Sequence, residues 1–126
     1  MASHAPNNVT WDAETARAII AEKQAMPGAL LPILHALQEE FGYIDREAEP
    51  IIADILNLSR AEVHGVMTFY HDYRDHPAGR HVLKLCRAEA CQSMGGDALA
   101  ERIKQLLGID FHQTTLDGDV TLEPVY

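Results

Sequence analysis

The chain of 126 residues is poor in positive charge, poor in cysteine and without any long apolar run. Each shortage removes a class of function. Ten Lys and Arg stand against nineteen Asp and Glu, a formal charge of −9. So acidic a surface repels phosphate backbones and anionic lipid, which excludes nucleic acid and membrane surfaces as natural partners. No apolar stretch approaches the roughly 20 residues that span a bilayer, and Met1 to Thr10 carries no basic-then-apolar signal pattern, so the expected compartment is the cytoplasm. Two cysteines, Cys86 and Cys91, are too few for a disulfide framework, and in a cytoplasmic chain they read as thiols or metal ligands. Also missing are a Ser-His-Asp order, a phosphate-cradling Gly-rich loop, a dinucleotide fingerprint, internal repeats and low-complexity segments.

What is present is a good core composition. Hydrophobic residues make up 47% and charged residues 23%, which suits a globular fold and is too apolar for disorder. Residues 1–9 read as a frayed arm. Thr10 is placed to cap a first helix running to about Ala25, with Asp12 and Glu14 in its first turn, Ala16, Ile19 and Ile20 inward, and Pro27-Gly28 as the stop. Leu30, Ile33, Leu34, Leu37 and Phe41 follow a helical stripe ended by Gly42. A third helix covers about 46–57, its start blurred by Pro50. The fourth has the best local signature: Ser59 and Glu62 form an S-x-x-E capping box, Leu58 and Val63 are placed for a hydrophobic staple, and the helix should reach about Tyr70.

The character changes at Asp75-His76-Pro77-Ala78-Gly79, a turn-rich stretch read as a module boundary. His81 to Cys86 reads as a buried strand. Asp97 to Leu107 reads as a helix with Leu99, Ile103, Leu106 and Leu107 on one side and Gly108 as its stop. Phe111–Thr115 and Val120–Tyr126 are strand-like around a hairpin signal at Asp117-Gly118. The expected fold class is therefore α+β: an N-terminal helical bundle over 1–76, then strand, loop, helix and strand over 77–126. A sheet of two or three strands leaves one face uncovered, and the run to Tyr126 looks like an unfinished unit.

The chemistry concentrates in Cys86-Arg-Ala-Glu-Ala-Cys91-Gln-Ser-Met-Gly-Gly, where a strand gives way to a loop that leads into a helix. The strand fixes the first thiol, the loop brings the second back toward it, and backbone N–H groups there favour thiolate over thiol. Gly95 and Gly96 permit close backbone approach. Spacing alone leaves three readings open: ligands of a metal, ordinary small core residues, or a redox pair. C-x₄-C also opens the plant-type ferredoxin pattern, but the C-x₂-C that follows it there is missing, and two Cys cannot complete a Cys₄ site. Other residues read plainly. His64, His71, His76 and His81 match no usual zinc spacing. The run Val66 to Tyr73 (VMTFYHDY) is either a docking surface or bundle core, and Glu39 and Glu40 belong to a solvated face. Arg87 either offsets negative charge at the thiols or faces solvent.

From Leu30 to Tyr126 the sequence resembles the thioredoxin-like [2Fe–2S] ferredoxins. The matching stretches are LLPILHALQEEFGYI (30–44), LSRAEVHGVMTFY (58–70), PAGRHVLKLC (77–86), the C-x₄-C with its Gly-rich turn, and TLEPVY (121–126). That family includes the small flavoprotein-associated subunit of complex I, subunits of NAD(P)-linked hydrogenases and the gamma subunit of NAD-dependent formate dehydrogenases. The resemblance implies a helical bundle followed by a thioredoxin-like domain, here in shortened form. It also implies a [2Fe–2S] cofactor with Cys86 and Cys91 as two of four thiolate ligands. The second pair, C-x₃-C, normally follows the strand matching Thr121–Tyr126, so a shortened chain is expected. Cys-Arg-Ala-Glu-Ala-Cys-Gln-Ser-Met-Gly looks closest to the formate dehydrogenase subunit. The implied role is an electron carrier without substrate chemistry of its own. Its implied partners are a flavin- and NAD-binding subunit and a molybdenum- or tungsten-containing catalytic subunit. Two rival readings stand beside it: a cluster-free assembly adaptor with idle thiols, and a thiol–disulfide protein.

Overall fold

The computed structural model describes residues 10–126, and the arm expected over residues 1–9 lies outside them. The described residues fall into two compact units that divide between Pro77 and Ala78.

The first unit is built from α1 (Ala13–Lys23), α2 (Leu30–Phe41), α3 (Ala48–Leu56) and α4 (Arg60–Phe69). Asp12, and not Thr10, caps α1: its carboxylate accepts from the backbone N–H of Glu14 and Thr15 and from the Thr15 hydroxyl. A carboxylate at this position accepts several donors at once, which a threonine hydroxyl does not. The same bonds hold its pKa below the ordinary aspartate value, the Thr15 hydroxyl contributing most. The helix closes at Lys23, two residues short of expectation, and the turns that follow lead to Gly28. Gly42 ends α2 in the left-handed conformation at φ 81°, its N–H donating to the Gln38 carbonyl. Pro50 is the third residue of α3, within the first turn, where a missing N–H costs no intrahelical bond. The capping box of α4 is fully formed, with Glu62 N–H to Ser59 Oγ at 3.1 Å and Ser59 N–H to Glu62 Oε2 at 2.9 Å.

These helices close over one apolar cluster that includes Ile20, Ile33, Leu34, Leu37, Phe41, Ile44, Ile52 and Val63. Trp11 stacks at a tilt on Phe41 with ring centroids 4.8 Å apart and anchors its indole N–H on Glu47 at 3.0 Å. The 66–73 run divides. Val66, Met67 and Tyr73 pack against the core, whereas Phe69 and Tyr70 are exposed.

The second unit holds β1 (His81–Cys86), α5 (Glu89–Ser93), α6 (Gly96–Leu107) and β2 (Val120–Val125). The strands pair in parallel, from His81 opposite Val120 to Cys86 opposite Val125, with both helices in the crossover. A parallel pair needs such a crossover because a tight turn cannot join its ends. Residues 112–115 do not form a second strand. They touch the other side of β2 through an antiparallel bridge from Thr114 to Thr121 and a few backbone bonds, beyond the turn in which Gly118 takes φ 72°. Within that turn Asp117 accepts from the Thr115 hydroxyl and the Asp119 N–H.

Two expectations are corrected here. β1 is not a buried strand, because a two-stranded sheet leaves most of its side chains open or half-covered. On α6 the inward residue is Ala100, with Ile103 and Leu107 half-covered, while Leu99 and Leu106 are exposed. The stripe 100, 103, 107 faces in, and 99 and 106 lie at its margin. Among the described residues no helix is long and apolar enough to cross a membrane.

Candidate functional site

Backbone geometry places the two thiols on one turn. β1 ends at Cys86, Arg87 and Ala88 form a short link with Ala88 still extended (φ −69°, ψ 161°), and α5 then places Cys91 on its third residue. That five-residue helix stands where a loop was expected. Both cysteines are free and half-exposed.

The two sulfurs are electrostatically unequal. Cys86 is held below the ordinary thiol value, first by the backbone N–H of Ala88 and then by the Cys91 thiol, against a small opposing cost of burial. Cys91 is pushed up, because its proton is engaged by Cys86 and a second negative charge would lie beside the first. Cys86 therefore gives up its proton more readily than Cys91, and a cation held by both sulfurs would remove the cost of the second charge.

The turn is braced from several sides. The Arg87 N–H donates to the Val125 carbonyl at 2.6 Å, fixing the link to β2. Gln92 Nε2 donates to the Arg87 carbonyl at 2.8 Å, and Ser93 Oγ to the Ala90 carbonyl at 2.7 Å. Gly95 takes φ 93°, and Gly96 lies flush on Cys91, so that a Cβ there would come within 2.7 Å of the Cys91 carbonyl oxygen. Of the glycine pair, Gly96 alone makes the expected close approach, and it does so against the second thiol's own backbone.

Arg87 is neither solvent-facing nor an unshared charge. Its side chain is 24% exposed, it pairs with Asp97 at 3.2 Å, and its guanidinium lies 5.3 Å from the Phe111 ring centre. Lys104 approaches the same ring at 4.5 Å and also binds Asp110 at 3.1 Å. Phe111 thus carries two cations, each with a carboxylate partner, a contact set worth about 0.5–1 kcal/mol per cation at exposed sites. Sequence reading missed Asp97, Lys104 and Phe111 because they stand 10 to 24 positions from Arg87 and follow no local motif.

The histidines have other partners: His64 meets Glu49 at 3.0 Å and His76 meets Asp75 at 2.6 Å. Among the described residues no group of three or more His, Cys, Asp or Glu forms a metal-ligating set. The chemistry of the donor set fits one half of a four-thiolate cluster, namely two thiols on one turn with the Ala88 N–H beside Cys86, and the described residues supply nothing toward the other half.

Comparison with known proteins identifies the family. The family described as thioredoxin-like [2Fe-2S] ferredoxin matches residues 16–126, nearly the whole described chain. The chain belongs to the thioredoxin-like [2Fe-2S] ferredoxin family. Among its relatives is the E subunit of the NADH-quinone oxidoreductase of Mycobacterium bovis, 40% identical over 110 residues, covering 87% of this chain and 44% of the relative. The subunit of the same name from Pseudomonas aeruginosa is 35% identical, covering 77% of this chain and 58% of the relative. The HndA subunit of the NADP-reducing hydrogenase of Solidesulfovibrio fructosivorans is 32% identical, covering 76% and 56%. The chain thus spans about half the length of these curated relatives of the ferredoxin family.

Proposed function

We propose that this ferredoxin-family chain is the electron-carrier subunit of an NAD-linked oxidoreductase complex, and that Cys86 and Cys91 are two of the four thiolates of its [2Fe–2S] cluster. The observation that carries the reading is the placement of both cysteines on the one turn that leads from β1 into α5, with the Ala88 N–H favouring thiolate on Cys86. When bound, such a cluster supplies one-electron storage, at a potential set by charge, exposure and hydrogen bonds to sulfur. This chain's residues contribute the two thiolates, the Ala88 donor and the backbone bracing of Gln92 and Gly96. The remaining two ligands come from residues other than these.

At the finer level we propose a formate dehydrogenase-type complex, on the Cys86–Gly95 stretch. Its partners would be a flavin- and NAD-binding subunit and a molybdenum- or tungsten-containing subunit, in the cytoplasm. The corresponding subunit of complex I or of an NAD(P)-linked hydrogenase is the second reading, favoured by the names of the relatives. We take 1–76 and 77–126 as the functional domains, the second carrying the ligands.

Iron, acid-labile sulfide and visible absorbance of the anaerobically purified complex test the cluster. Cys86→Ser is expected to abolish iron retention while the circular dichroism of the helical bundle is kept. Equal iron in wild type and variant would overturn the ligand assignment. Formate-dependent reduction of NAD by the same complex tests the finer reading, and its absence alongside intact NADH oxidation would favour the second.

A further inference from the structure

We infer that the helical unit carries a docking groove for a basic amphipathic helix of a partner protein, between α4 and the start of α2. The groove lies within residues 24–70, and its occupant depends on neither cysteine nor on any cluster.

The groove follows from how the four helices pack. α4 rests chiefly on α3, and a furrow of about 440 Å³ remains between α4 and the start of α2. Met26, Leu30 and Leu31 line it from the turn before α2 and from the first residues of that helix. Val66 and Tyr70 line it from α4 and its C-cap, four residues apart and so on one face. Leu56 and Leu58 add the turn between α3 and α4. Among the described residues of the helical unit, the exposed large apolar side chains are Met26, Phe69 and Tyr70. All three gather here: Met26 and Tyr70 line the furrow, and Phe69 meets Tyr70 edge-on with ring centroids 5.0 Å apart. A unit that buries its other large apolar residues leaves these together in water, which marks an interaction surface.

Chemistry and charge choose the occupant. The volume alone would admit a drug-sized molecule. Such a ligand needs converging polar groups to orient it, and the lining side chains offer only the Gln24 amide and the Tyr70 hydroxyl. An open apolar furrow suits instead a stripe of aliphatic side chains at i, i+3, i+4 and i+7 of an incoming helix. Met26 adapts its shape to such a stripe, and the Phe69 and Tyr70 rings supply large contact area. The flanks of that helix are set by charge. Between residues 10 and 77 twelve Asp and Glu stand against five Lys and Arg, so most of the net charge of −9 lies in this unit. Exposed Glu62 stands four residues before Val66, on the same face of α4. Lys and Arg beside the apolar stripe are therefore attracted, whereas a second copy of this chain would bring another acidic surface and be repelled.

The test is binding of a synthetic peptide of about 15 residues to the whole chain, read by fluorescence anisotropy and methyl NMR. The peptide carries Leu at i, i+3, i+4 and i+7, Lys on both flanks of that stripe and Ala elsewhere. Saturable binding is expected, with methyl shifts centred on Leu30, Leu31, Leu58 and Val66. The double variant Met26→Glu with Tyr70→Glu, which alters two exposed residues, is expected to keep its circular dichroism and bind about tenfold more weakly. A peptide with Glu in place of Lys, and one with the same residues in an order that breaks the stripe, should each lose about as much. No binding of the Lys peptide, equal binding of the three peptides, or unchanged affinity of the double variant would overturn the inference. So would anilinonaphthalene sulfonate held in the groove and not displaced by the Lys peptide, which would make it a small-molecule site. Dimerisation of wild type through the same methyl groups would also overturn it, by seating a second copy there. Iron enters none of these readouts, so failure here is separate from failure of the cluster assignment.

Discussion

The two halves of the molecule are stabilised by different means. Residues 10–77 enclose thirteen buried apolar residues in one cluster. In residues 78–126 only Gly79, Ala100, Thr121 and Leu122 are buried. The helical unit is stabilised by removal of apolar surface from water, with caps at Asp12, Gly42, Asn57 and Ser59 satisfying its helix ends. The strand-containing unit rests on hydrogen bonds: the parallel ladder, the Thr121 hydroxyl that accepts the Gly79 N–H at 2.7 Å, and the bracing around the thiols. Stability and chemistry are thus placed apart. The thiols lie in the unit with the thinner core, where opening requires less apolar surface to be exposed.

The contrast can be broken most strongly from the helical side. Leu37 is fully buried among the helices, and Leu37→Ala removes that packing and leaves a cavity. The expected loss is about 2–5 kcal/mol in the stability of residues 10–77, read by thermal or urea melting at 222 nm. Thiol reactivity of Cys86 and Cys91 should stay unchanged. If both fall together, the two units are one cooperative body and the contrast is wrong.

A smaller effect is expected from the second unit. Gly96→Ala pushes a methyl group onto the Cys91 carbonyl, a backbone atom that cannot swing aside, at 2.7 Å in the present geometry. The expected cost is about 1–3 kcal/mol, confined to residues 86–107. Amide hydrogen exchange should show faster exchange in α5 and the start of α6, with α1 to α4 protected as before. Unchanged protection in α5 would mean that the Gly96 contact does not hold the thiol turn.

The same division decides what could be read from the amino-acid order. Ser59 and Glu62 were legible because a capping box is local and needs nothing from the rest of the chain. The apolar stripe of α2 was legible because five large residues repeat at helical spacing on a surface that is indeed buried. The cap of α1 was misplaced by two residues because Thr10 and Asp12 are both good caps, and only the geometry of Thr15 favours the carboxylate. In the second unit the local signals weaken. α5 is too short to show a period, and the exposed Leu99 and Leu106 carry the same hydrophobic signal as residues that pack. The two thiols could be picked out by residue type. The Arg87, Asp97, Lys104 and Phe111 contacts around them could not, since they depend on tertiary closure.

The finest distinction between the halves concerns acid. Asp110 is held below the ordinary carboxylate range, first by the Phe111 N–H at 2.7 Å and then by Lys104. A carboxylate whose folded pKa is depressed adds stability that is present above its unfolded value and is lost as pH falls through the folded one. Asp110→Asn keeps an oxygen for the Phe111 N–H but loses the charge that faces Lys104. At neutral pH the variant should therefore be slightly less stable than wild type in residues 100–115. That difference should shrink as pH falls through the carboxylate range, because wild type then loses its charge as well. Asp12, whose pKa is also lowered, imposes the same sign on α1 in both proteins, so acid lability of the helical unit should be identical in the two. Hydrogen exchange at a series of pH values, compared at matched intrinsic exchange rates, separates the segments. A wild-type-to-variant difference that is constant with pH would show that the Lys104–Asp110 pair adds nothing electrostatic, and that the second unit rests there on the neutral hydrogen bond to Phe111 alone.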